Sequence, residues 1–379
     1  MDKLPEGLTW LHVGLPDPDP EIATHLHRGF IRKNVVAAYE HAAEVPSFAT
    51  PRLAKWFRMQ KSLGSKDRRR VSDTLYGLIR HDEVLRRFGS KSIDEKIDMW
   101  IAYHEGACLE AHAESPQKDF ATALGLSEKI AREWQMRWAP PECLELAQAL
   151  NRRPPTYLRI NGHVEQVSAD LQKEGIPVSS VEGMPTCLEL IGRANIVGSK
   201  AYRSGSIEIQ DISSQRFCRA LEIDSDMIVW DMCAGAGGKT LAMAADGARV
   251  HATEPRTNAM KQLKKRAHRA GVIIEDHPPK KADLIVIDAP CSGTGRLHRE
   301  PALRWRLREQ DALQNLETQA RLIQKAGKRL HRGGRIAYST CSLLEDENNH
   351  PISGDMIDEK WLWPHKNGGD GFYWRIVSI

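Results

Sequence analysis

Short apolar runs alternate with helix-forming segments from about residue 210 onward, and this alternation limits the possible folds more than any other feature of the chain. The runs lie at residues 227–233, 248–254, 271–275, 283–288 and 334–341. Such an alternation predicts a parallel sheet with helices on both faces. In sheets of this kind ligands bind at the carboxyl edge of the strands. The predicted strands end at or next to Asp231, Glu254, Asp288 and Cys341, so these side chains are candidates for a site at that edge.

A glycine-rich loop, Cys-Ala-Gly-Ala-Gly-Gly-Lys-Thr at 233–240, follows the first of these runs. A phosphate-binding P-loop requires glycine where Cys233 stands. Glu254 ends the next run, at the spacing of the acid that binds ribose in nucleoside-binding sheets. The loop and Glu254 together fit S-adenosylmethionine, whose amino-acid end, sulfonium and adenosine must all be held. A degenerate P-loop and a structural turn are the alternatives that the loop by itself leaves open.

Two cysteines occupy equivalent places at the ends of predicted strands. Cys291 lies in Asp-Ala-Pro-Cys-Ser-Gly-Thr-Gly at 288–295, and Cys341 lies in Tyr-Ser-Thr-Cys-Ser at 338–342. A single buried cysteine is more often a small core residue than a catalytic one. Two cysteines at the ligand edge, each followed by serine, are hard to explain by packing and point to sulfur chemistry.

With these motifs the sequence resembles the RNA cytosine-5 methyltransferases of the Sun/Fmu family, and within it the RsmB-like group. The resemblance extends to Gln-Asp-Ile-Ser-Ser-Gln at 210–215, to Glu-Asp-Glu-Asn-Asn at 345–349 and to Asp-Gly-Phe-Tyr at 370–373. A basic helical segment near residue 65 is similar to the NusB-like RNA-binding domain that often precedes this catalytic domain. Asn349 departs from the family pattern, where an acid often ends the Glu-Asn-Glu motif.

The resemblance implies S-adenosylmethionine-dependent methylation of carbon 5 of a cytosine through a covalent cysteine adduct. It makes Cys341 the nucleophile that adds to carbon 6 and Cys291 the residue that assists release. Residue chemistry alone leaves the two open, since DNA cytosine-5 enzymes use a Pro-Cys motif like that at Cys291. Asp288 is the expected acid near ring nitrogen 3 if burial raises its pKa. Lys239 is expected to face the same centre and to favour the thiolate.

The expected cofactor residues comprise the glycine loop and the acids at the strand ends. They are Cys233, Ala234, Gly235, Ala236, Gly237, Gly238, Lys239, Glu254, Asp276 and Asp288. Glu254 is the ribose acid, and Asp276 corresponds to the family's acid on the adenine side. No CxxC pair occurs among the seven cysteines, so no metal is expected.

Three domains are predicted. Residues 1–150 form a helical NusB-like RNA-binding domain, 151–209 a small α+β linker subdomain, and 210–379 a Rossmann-like methyltransferase domain, so the fold class is α/β. Between residues 52 and 70 eight basic residues stand against one acid. This basic strip is either a solvated helix face or a footprint for a phosphate backbone. The predicted RNA contacts are Arg52, Lys55, Arg58, Lys66, Arg68 and Arg69, with Arg299 and Arg304 added by the family resemblance.

The predicted partner is structured RNA, and the resemblance favours ribosomal RNA of the small subunit over transfer RNA. A catalytically silent RNA-binding assembly factor is an alternative from another class, and a nucleotide triphosphatase is disfavoured by Cys233. The chain has neither an apolar run long enough to span a membrane nor the layout of a secretory signal, which predicts a cytoplasmic protein without membrane contact. A monomer is expected.

Overall fold

The computed structural model describes residues 10–12, 14–45, 49–109, 115–307 and 309–379. The chain divides into two compact units: residues 1–153 with 296–308, and residues 154–295 with 309–379. None of the helices in the described ranges is both long and apolar enough to cross a membrane. The predicted division into three domains stays a prediction.

The first unit is helical throughout its described residues. Its helices are α1 (Pro20–Leu26), α2 (Gly29–Ala43), α3 (Ala49–Met59), α4 (Ser65–Arg80), α5 (Asp82–Arg87), α6 (Ile93–His104), α7 (Pro116–Leu124), α8 (Glu128–Arg137), α9 (Pro140–Asn151) and α15 (Leu303–Arg306). Local signals explain where several begin: Ser92 and Glu95 form a capping box at α6, and Ser115 caps α7 just before a proline. Buried apolar residues of α2, α3, α4 and α6 form its main core.

A four-stranded antiparallel sheet opens the second unit. Its strands are β1 (Tyr157–Ile160), β2 (Val178–Val181), β3 (Met184–Leu190) and β4 (Ile207–Ile209), in the order β2-β3-β1-β4. The short helices α10 (Val164–Lys173) and α11 (Lys200–Arg203) complete this part of the unit. Its own small apolar core includes Leu158, Leu171 and Ile207.

A six-stranded sheet with the order β6-β5-β7-β8-β10-β9 forms the larger part of the second unit. Its strands are β5 (Ile228–Asp231), β6 (Arg249–Ala252), β7 (Ala282–Asp288), β8 (Leu330–Thr340), β9 (Asp355–Leu362) and β10 (Phe372–Ser378). The associated helices are α12 (Ile212–Ala220), α13 (Gly238–Ala245), α14 (Thr257–Ala270), α16 (Glu309–Gly327) and α17 (Pro364–Asn367). The first four strands are parallel, and their buried faces form two core clusters.

The structure departs from the predicted sheet in two places. The run at 271–275 is not a strand, because it contributes only a parallel bridge between Glu275 and His251. The last two strands, which the alternation did not predict, pair antiparallel to their neighbours. Antiparallel pairing places Tyr373 opposite Thr340, so the start of β10 lies beside the carboxyl end of β8. The strand therefore brings residues 370–373 to the edge where the candidate site lies.

Candidate functional site

The glycine loop connects β5 to α13 in a conformation that depends on glycine. Gly237 has a φ of 89° and caps α13, and a Cβ atom there would lie 2.8 Å from Leu263 Cγ. A side chain at Gly237 would therefore be strained both by its backbone conformation and by its neighbour. Arg266 of α14 donates to the carbonyl of Ala236 (2.7 Å) and holds the loop from outside.

Asp231 anchors the beginning of this loop from inside. Its carboxylate accepts hydrogen bonds from the Thr240 hydroxyl (2.7 Å) and from the N–H of Cys233 (3.3 Å). Burial raises the pKa of Asp231 to about 6. Burial also raises the pKa of the Cys233 thiol, to about 12, so this cysteine lines the loop as a neutral group.

Glu254 lies next to the glycine loop, two residues beyond the end of β6. Its side chain is 3% exposed and accepts a hydrogen bond from the N–H of Gly235 (2.9 Å). The same carboxylate accepts from the backbone N–H of Arg256 (2.8 Å) and from its guanidinium (2.7 Å to Nε). Burial opposes the charge, but these Arg256 contacts hold the pKa of Glu254 below its usual value. Arg256, which the sequence did not suggest, thus shields the predicted ribose acid.

Lys239 and Asp288 form an ion pair between the glycine loop and the end of β7. Lys239 Nζ donates to Asp288 Oδ2 (2.8 Å) and lies 5.0 Å from the centre of the Phe372 ring. Burial lowers the pKa of Lys239, but Asp288, with smaller contributions from Cys218 and Cys341, raises it above the ordinary value. Asp288 is one third exposed, and its other oxygen accepts from the Ser339 hydroxyl (3.3 Å).

Cys291 and Cys341 are brought together at the same edge. Their sulfur atoms lie 3.4 Å apart, and neither cysteine forms a disulfide bond. The contact with Cys341, followed by burial, raises the pKa of Cys291 well above its ordinary value. Two thiolates at this distance would repel each other, so the pair carries at most one negative charge near neutral pH and Cys291 stays protonated.

The two cysteine loops are joined through close backbone contacts. The N–H of Gly295 donates to the carbonyl of Cys341 (2.9 Å), and the N–H of Gly371 donates to the carbonyl of Gly295 (2.9 Å). A Cβ atom on Gly295 would lie 2.2 Å from the Gly371 oxygen, so only glycine fits there. The motif Asp-Gly-Phe-Tyr contained Gly371, but the alternation could not place it because β10 returns antiparallel.

Buried polar residues behind the cysteines were not among the predicted site residues. Glu347, which has no exposed surface, accepts hydrogen bonds from Ser292, and the hydroxyl of Ser292 lies 3.1 Å from that of Ser342. Asn348 is also buried and accepts a hydrogen bond from the Thr340 hydroxyl (2.6 Å). The motif Glu-Asp-Glu-Asn-Asn was the signal for these residues, although their spacing alone does not tell which of the acids is buried.

One predicted cofactor residue lies outside this cluster. Asp276 is exposed, and its carboxylate accepts from Lys264 of α14, which lowers the pKa of Asp276. No described contact links Asp276 to the glycine loop, so its role at the adenine side stays a prediction. The described part of the chain contains no group of three His, Cys, Asp or Glu side chains that could hold a metal ion.

The basic strip contains two kinds of cation. Lys55, Arg58, Lys66 and Arg69 are exposed. Arg52 donates to the carbonyl of His41 (2.7 Å) and pairs with Glu44.

Arg68, also part of the basic strip, donates to the backbone carbonyls of Phe57 and Gln60. Arg52 and Arg68 therefore have structural partners, while the exposed members present their charges to solvent.

Arg304 does not fit the predicted RNA contact. It is 7% exposed and donates to the carbonyls of Leu124 (2.6 Å), Leu297 (3.0 Å) and Leu150 (3.1 Å). A fourth hydrogen bond joins it to the side chain of Asn151 (2.7 Å). These bonds fix residues 297–304 within the helical unit, so the expectation that Arg304 contacts RNA is corrected. Arg299 is half-buried in the same segment.

Comparisons with solved structures define the class of the fold. The crystal structure of PH0851 superposes with a TM-score of 0.73 at 20% identity, covering 92% of this chain and 98% of that one. A methyltransferase homolog protein from Pyrococcus horikoshii gives a TM-score of 0.60 at 23% identity, covering 70% of this chain and 99% of that one. At these identities the likeness concerns the fold alone. It confirms the predicted α/β, Rossmann-like methyltransferase fold.

Family models and curated relatives identify the family within that class. Residues 218–360 match the family described as 16S rRNA methyltransferase RsmB/F, and residues 128–197 match the RsmF/B-like, ferredoxin-like domain. Ribosomal RNA small subunit methyltransferase B of Photorhabdus laumondii is 30% identical over 284 residues, which cover 67% of this chain and 65% of the relative. The protein of the same name from Proteus mirabilis is 30% identical over 265 residues, 63% of each chain.

The chain thus spans slightly less than two thirds of the length of these two relatives. The domain that contains residues 218–360 is of the RsmB/F methyltransferase type, and the RsmB-like resemblance predicted from its motifs is confirmed. The NusB-like character of the helical unit stays a prediction.

Proposed function

We propose that the protein methylates carbon 5 of a cytosine in RNA, with S-adenosylmethionine as the methyl donor and Cys341 as the covalent nucleophile. The observation that carries this proposal is the pair of cysteine thiols, not joined by a disulfide, whose sulfur atoms lie 3.4 Å apart at the carboxyl edge of the sheet. The substrate class is ribosomal RNA of the small subunit, as the names of the curated relatives suggest.

The residues around the glycine loop fit S-adenosylmethionine. The loop offers backbone N–H groups without side chains in the way, and Glu254 offers a buried carboxylate at the end of the neighbouring strand. Ribose hydroxyls would replace the Arg256 guanidinium, whose side chain is 74% exposed and free to move away. When bound, the cofactor supplies an electrophilic methyl group at this edge.

Cys341 begins the reaction on the cytosine ring. Its thiolate adds to carbon 6, and the resulting enamine makes carbon 5 nucleophilic enough to take up the methyl group. A water molecule then takes the proton on carbon 5, the electron pair of that C–H bond forms the double bond between carbons 5 and 6, and the bond between sulfur and carbon 6 breaks so that its electron pair returns to Cys341 as thiolate. Cys291, held as a neutral thiol beside Cys341, assists this release by donating a hydrogen bond to the departing sulfur.

Lys239 and Asp288 set the charge of the site. The Lys239 cation stabilises a thiolate at Cys341 through the same interaction by which Cys341 raises the pKa of Lys239. Asp288 has an exposed face and lies opposite Ser339 in the pairing of β7 with β8, so it can meet the polar edge of a cytosine. Because the thiol cannot reach a base stacked in a duplex, the target cytosine is unpaired or flipped out.

The exposed cations of the basic strip provide the RNA contact of the helical unit. Phosphate groups are recognised by such cations with little dependence on sequence. This positive charge comes from the exposed side chains of Lys55, Arg58, Lys66 and Arg69. The helical unit thus acts as an RNA-binding domain of the NusB-like kind.

Two cysteine variants test the covalent step. Cys341→Ala is expected to abolish methyl transfer, whereas Cys291→Ala is expected to leave a covalent protein–RNA adduct, visible as a band of reduced mobility on a denaturing gel. Full activity of Cys341→Ala would disprove the assignment of the nucleophile. Absence of the adduct in Cys291→Ala would mean that Cys291 takes no part in release.

Bisulfite sequencing of total RNA from cells with and without the gene tests the substrate. One cytosine lost from small-subunit ribosomal RNA is the expected result. A lost site in transfer RNA would replace the substrate and keep the chemistry. Cofactor binding without any lost site would favour an assembly factor that has lost turnover.

A further inference from the structure

Glu347 is a buried carboxylate beside the two cysteine loops. It has no exposed surface, and no ion pair involves it within the described ranges of the chain. Burying a carboxylate without a cation costs several kcal/mol unless hydrogen bonds replace the lost water. Here three donors do so: the N–H and hydroxyl of Ser292 (2.8 and 2.6 Å) and the side-chain amide of Asn315 (3.0 Å). Because all three partners donate, Glu347 acts as an acceptor at both oxygens.

Two of these three bonds hold the residue that follows Cys291. On the other side of Cys291, the carbonyl of Pro290 accepts from the amide of Gln319 (2.8 Å), which is also fully buried. Cys291 is therefore fixed from both neighbours, and Glu347 supplies two of the three bonds. Because the backbone is held on both sides of Cys291, its side chain has little freedom to turn away from the Cys341 thiol.

The same network reaches the loop of the nucleophile. The hydroxyl of Ser292 lies 3.1 Å from that of Ser342, the residue after Cys341. Asn348, next to Glu347, donates to the carbonyl of Ser342 (3.1 Å). Residues adjacent to both cysteines are thus tied to one short segment, 347–348.

We propose that Glu347 is a positioning residue that holds the Cys291 thiol against Cys341 and thereby governs release of the enzyme–RNA adduct. This inference rests on the proposed function, because it presumes that Cys291 acts at the release step. The described side-chain partners of Glu347 are Ser292 and Asn315, and neither is a thiol. Its negative charge also adds to the effects of Cys341 and burial that keep Cys291 protonated.

The test separates methyl transfer from release in variants of the full chain. Glu347→Ala removes both bonds to Ser292, and a displaced reacting group loses about tenfold to a hundredfold in rate. We expect the release rate to fall by that factor and the adduct to accumulate on a denaturing gel. Methyl transfer measured in a single turnover is expected to stay within about threefold of wild type, because the Cys341 loop keeps its own contacts. A small-subunit ribosomal RNA transcript serves as the substrate.

Three further variants control for folding and for charge. Glu347→Gln keeps an acceptor for the Ser292 N–H and is expected to restore release largely, since the position of Cys291 rather than the charge is proposed to matter. Ser292→Ala removes one of the bonds without opening a cavity and is expected to raise the adduct level less than Glu347→Ala. Tyr338→Phe removes the bond from the Tyr338 hydroxyl to the Glu347 carbonyl (2.7 Å) and is expected to behave as wild type in release.

Equal loss of methyl transfer and release in Glu347→Ala, or an unchanged adduct level in folded Glu347→Ala and Ser292→Ala, would overturn the inference. Cys291→Ala distinguishes this failure from failure of the proposed function. If Cys291→Ala accumulates adduct and neither of the other two does, only the role of Glu347 is wrong. If Cys291→Ala accumulates none, the release step itself has been misassigned.

Discussion

Each unit contains a largely buried lysine, 5% exposed at Lys96 and 12% exposed at Lys239, that is paired with an aspartate, and the pairs differ in what surrounds them. In the helical unit, Lys96 donates to Asp82 (2.6 Å) and to the Tyr39 hydroxyl (2.8 Å), and both charged side chains are 5–6% exposed. In the second unit, Lys239 donates to Asp288 (2.8 Å), but the Asp288 side chain is one third exposed.

The first pair is closed on all sides by its own unit, since Tyr39 and Arg86 also bond to Asp82. The second opens toward solvent at the carboxyl edge of a parallel sheet, where such folds bind ligands. The same kind of ion pair is therefore enclosed by protein in one place and accessible to solvent in the other. The two pairs consist of the same residue types, but further protein partners surround the Lys96–Asp82 pair, whereas Asp288 has an exposed face.

Lys239→Met should have the largest effect of these variants, and the quantity that changes should be the rate of methyl transfer. Methionine keeps the length of the side chain but removes the cation that we propose stabilises the Cys341 thiolate, and the rate of methyl transfer is expected to fall about a thousandfold. Single-turnover methylation at saturating RNA and cofactor measures this. Cofactor affinity, measured by calorimetry, should change much less. A decrease of less than about threefold would show that this pair is as structural as the other.

Lys96→Met is the matched variant in the helical unit, and its effect should fall on stability. It leaves the Asp82 carboxylate buried with fewer partners, which costs about 3–5 kcal/mol in the free energy of unfolding. Denaturant unfolding measures the loss. The methylation rate per folded molecule is expected to stay at the wild-type value. A large rate loss in folded Lys96→Met would contradict the contrast between the pairs.

Topology explains why the residues of the site could be predicted from the sequence. Parallel strands end at one edge, so the chemical groups after β5, β7 and β8 had to meet there, whatever the details of packing. Lys239, Asp288 and the two cysteines meet as expected for that reason. The partners of Arg304 and Glu347 could not be predicted, because residues distant in the sequence surround them.

Helix surfaces gave less reliable expectations than strand ends. Periodicity predicted which cations share a face of α3, but not which of them find a carbonyl or carboxylate nearby. The predicted strand at 271–275 failed for a related reason: apolar composition suits a strand, but only Glu275 pairs with a neighbour. Whether a run joins a sheet depends on partners that its own sequence does not specify.

Asp231 is a buried acid whose described hydrogen-bond donors are all neutral, unlike the two aspartates paired with lysine. Its protonation should therefore make the stability of the protein depend on pH. Its pKa of about 6 in the folded state lies above the ordinary 3.8 of the unfolded chain. Between about pH 4 and 6 the folded state keeps a proton that the unfolded state loses, so the free energy of unfolding falls as pH rises through that window. About 2–3 kcal/mol is lost in total, at about 1.4 kcal/mol per pKa unit.

Asp231→Asn should remove this part of the pH dependence, since the amide does not titrate and still accepts from Thr240. Urea unfolding of both proteins at intervals between pH 4 and 7 gives the difference. Parallel curves for the two proteins would mean that Asp231 is ionised in the folded state throughout the window and is stabilised by neighbouring charge rather than by protonation.

Substitutions of Arg58 and Arg68 should have the smallest effects, and they compare an exposed and a hydrogen-bonded arginine within the basic strip. Arg58 is exposed, whereas Arg68 donates to the carbonyls of Phe57 and Gln60. Arg58→Gln should reduce the salt dependence of RNA affinity, lowering the slope of log K against log salt by about 0.7–0.9 for one lost phosphate contact. Its thermal stability should not change.

Arg68→Gln should do the reverse: a loss of about 1–2 kcal/mol in the free energy of unfolding, because two carbonyls lose their donor, with an unchanged salt slope. Filter binding of a small-subunit ribosomal RNA transcript over a range of salt concentrations, with thermal unfolding in parallel, measures both quantities. If the two variants lower the slope equally, a structural hydrogen bond does not withdraw an arginine from the phosphate backbone. The difference between charged side chains with protein partners and charged side chains exposed to solvent would then apply to the Lys–Asp pairs but not to arginines on helix surfaces.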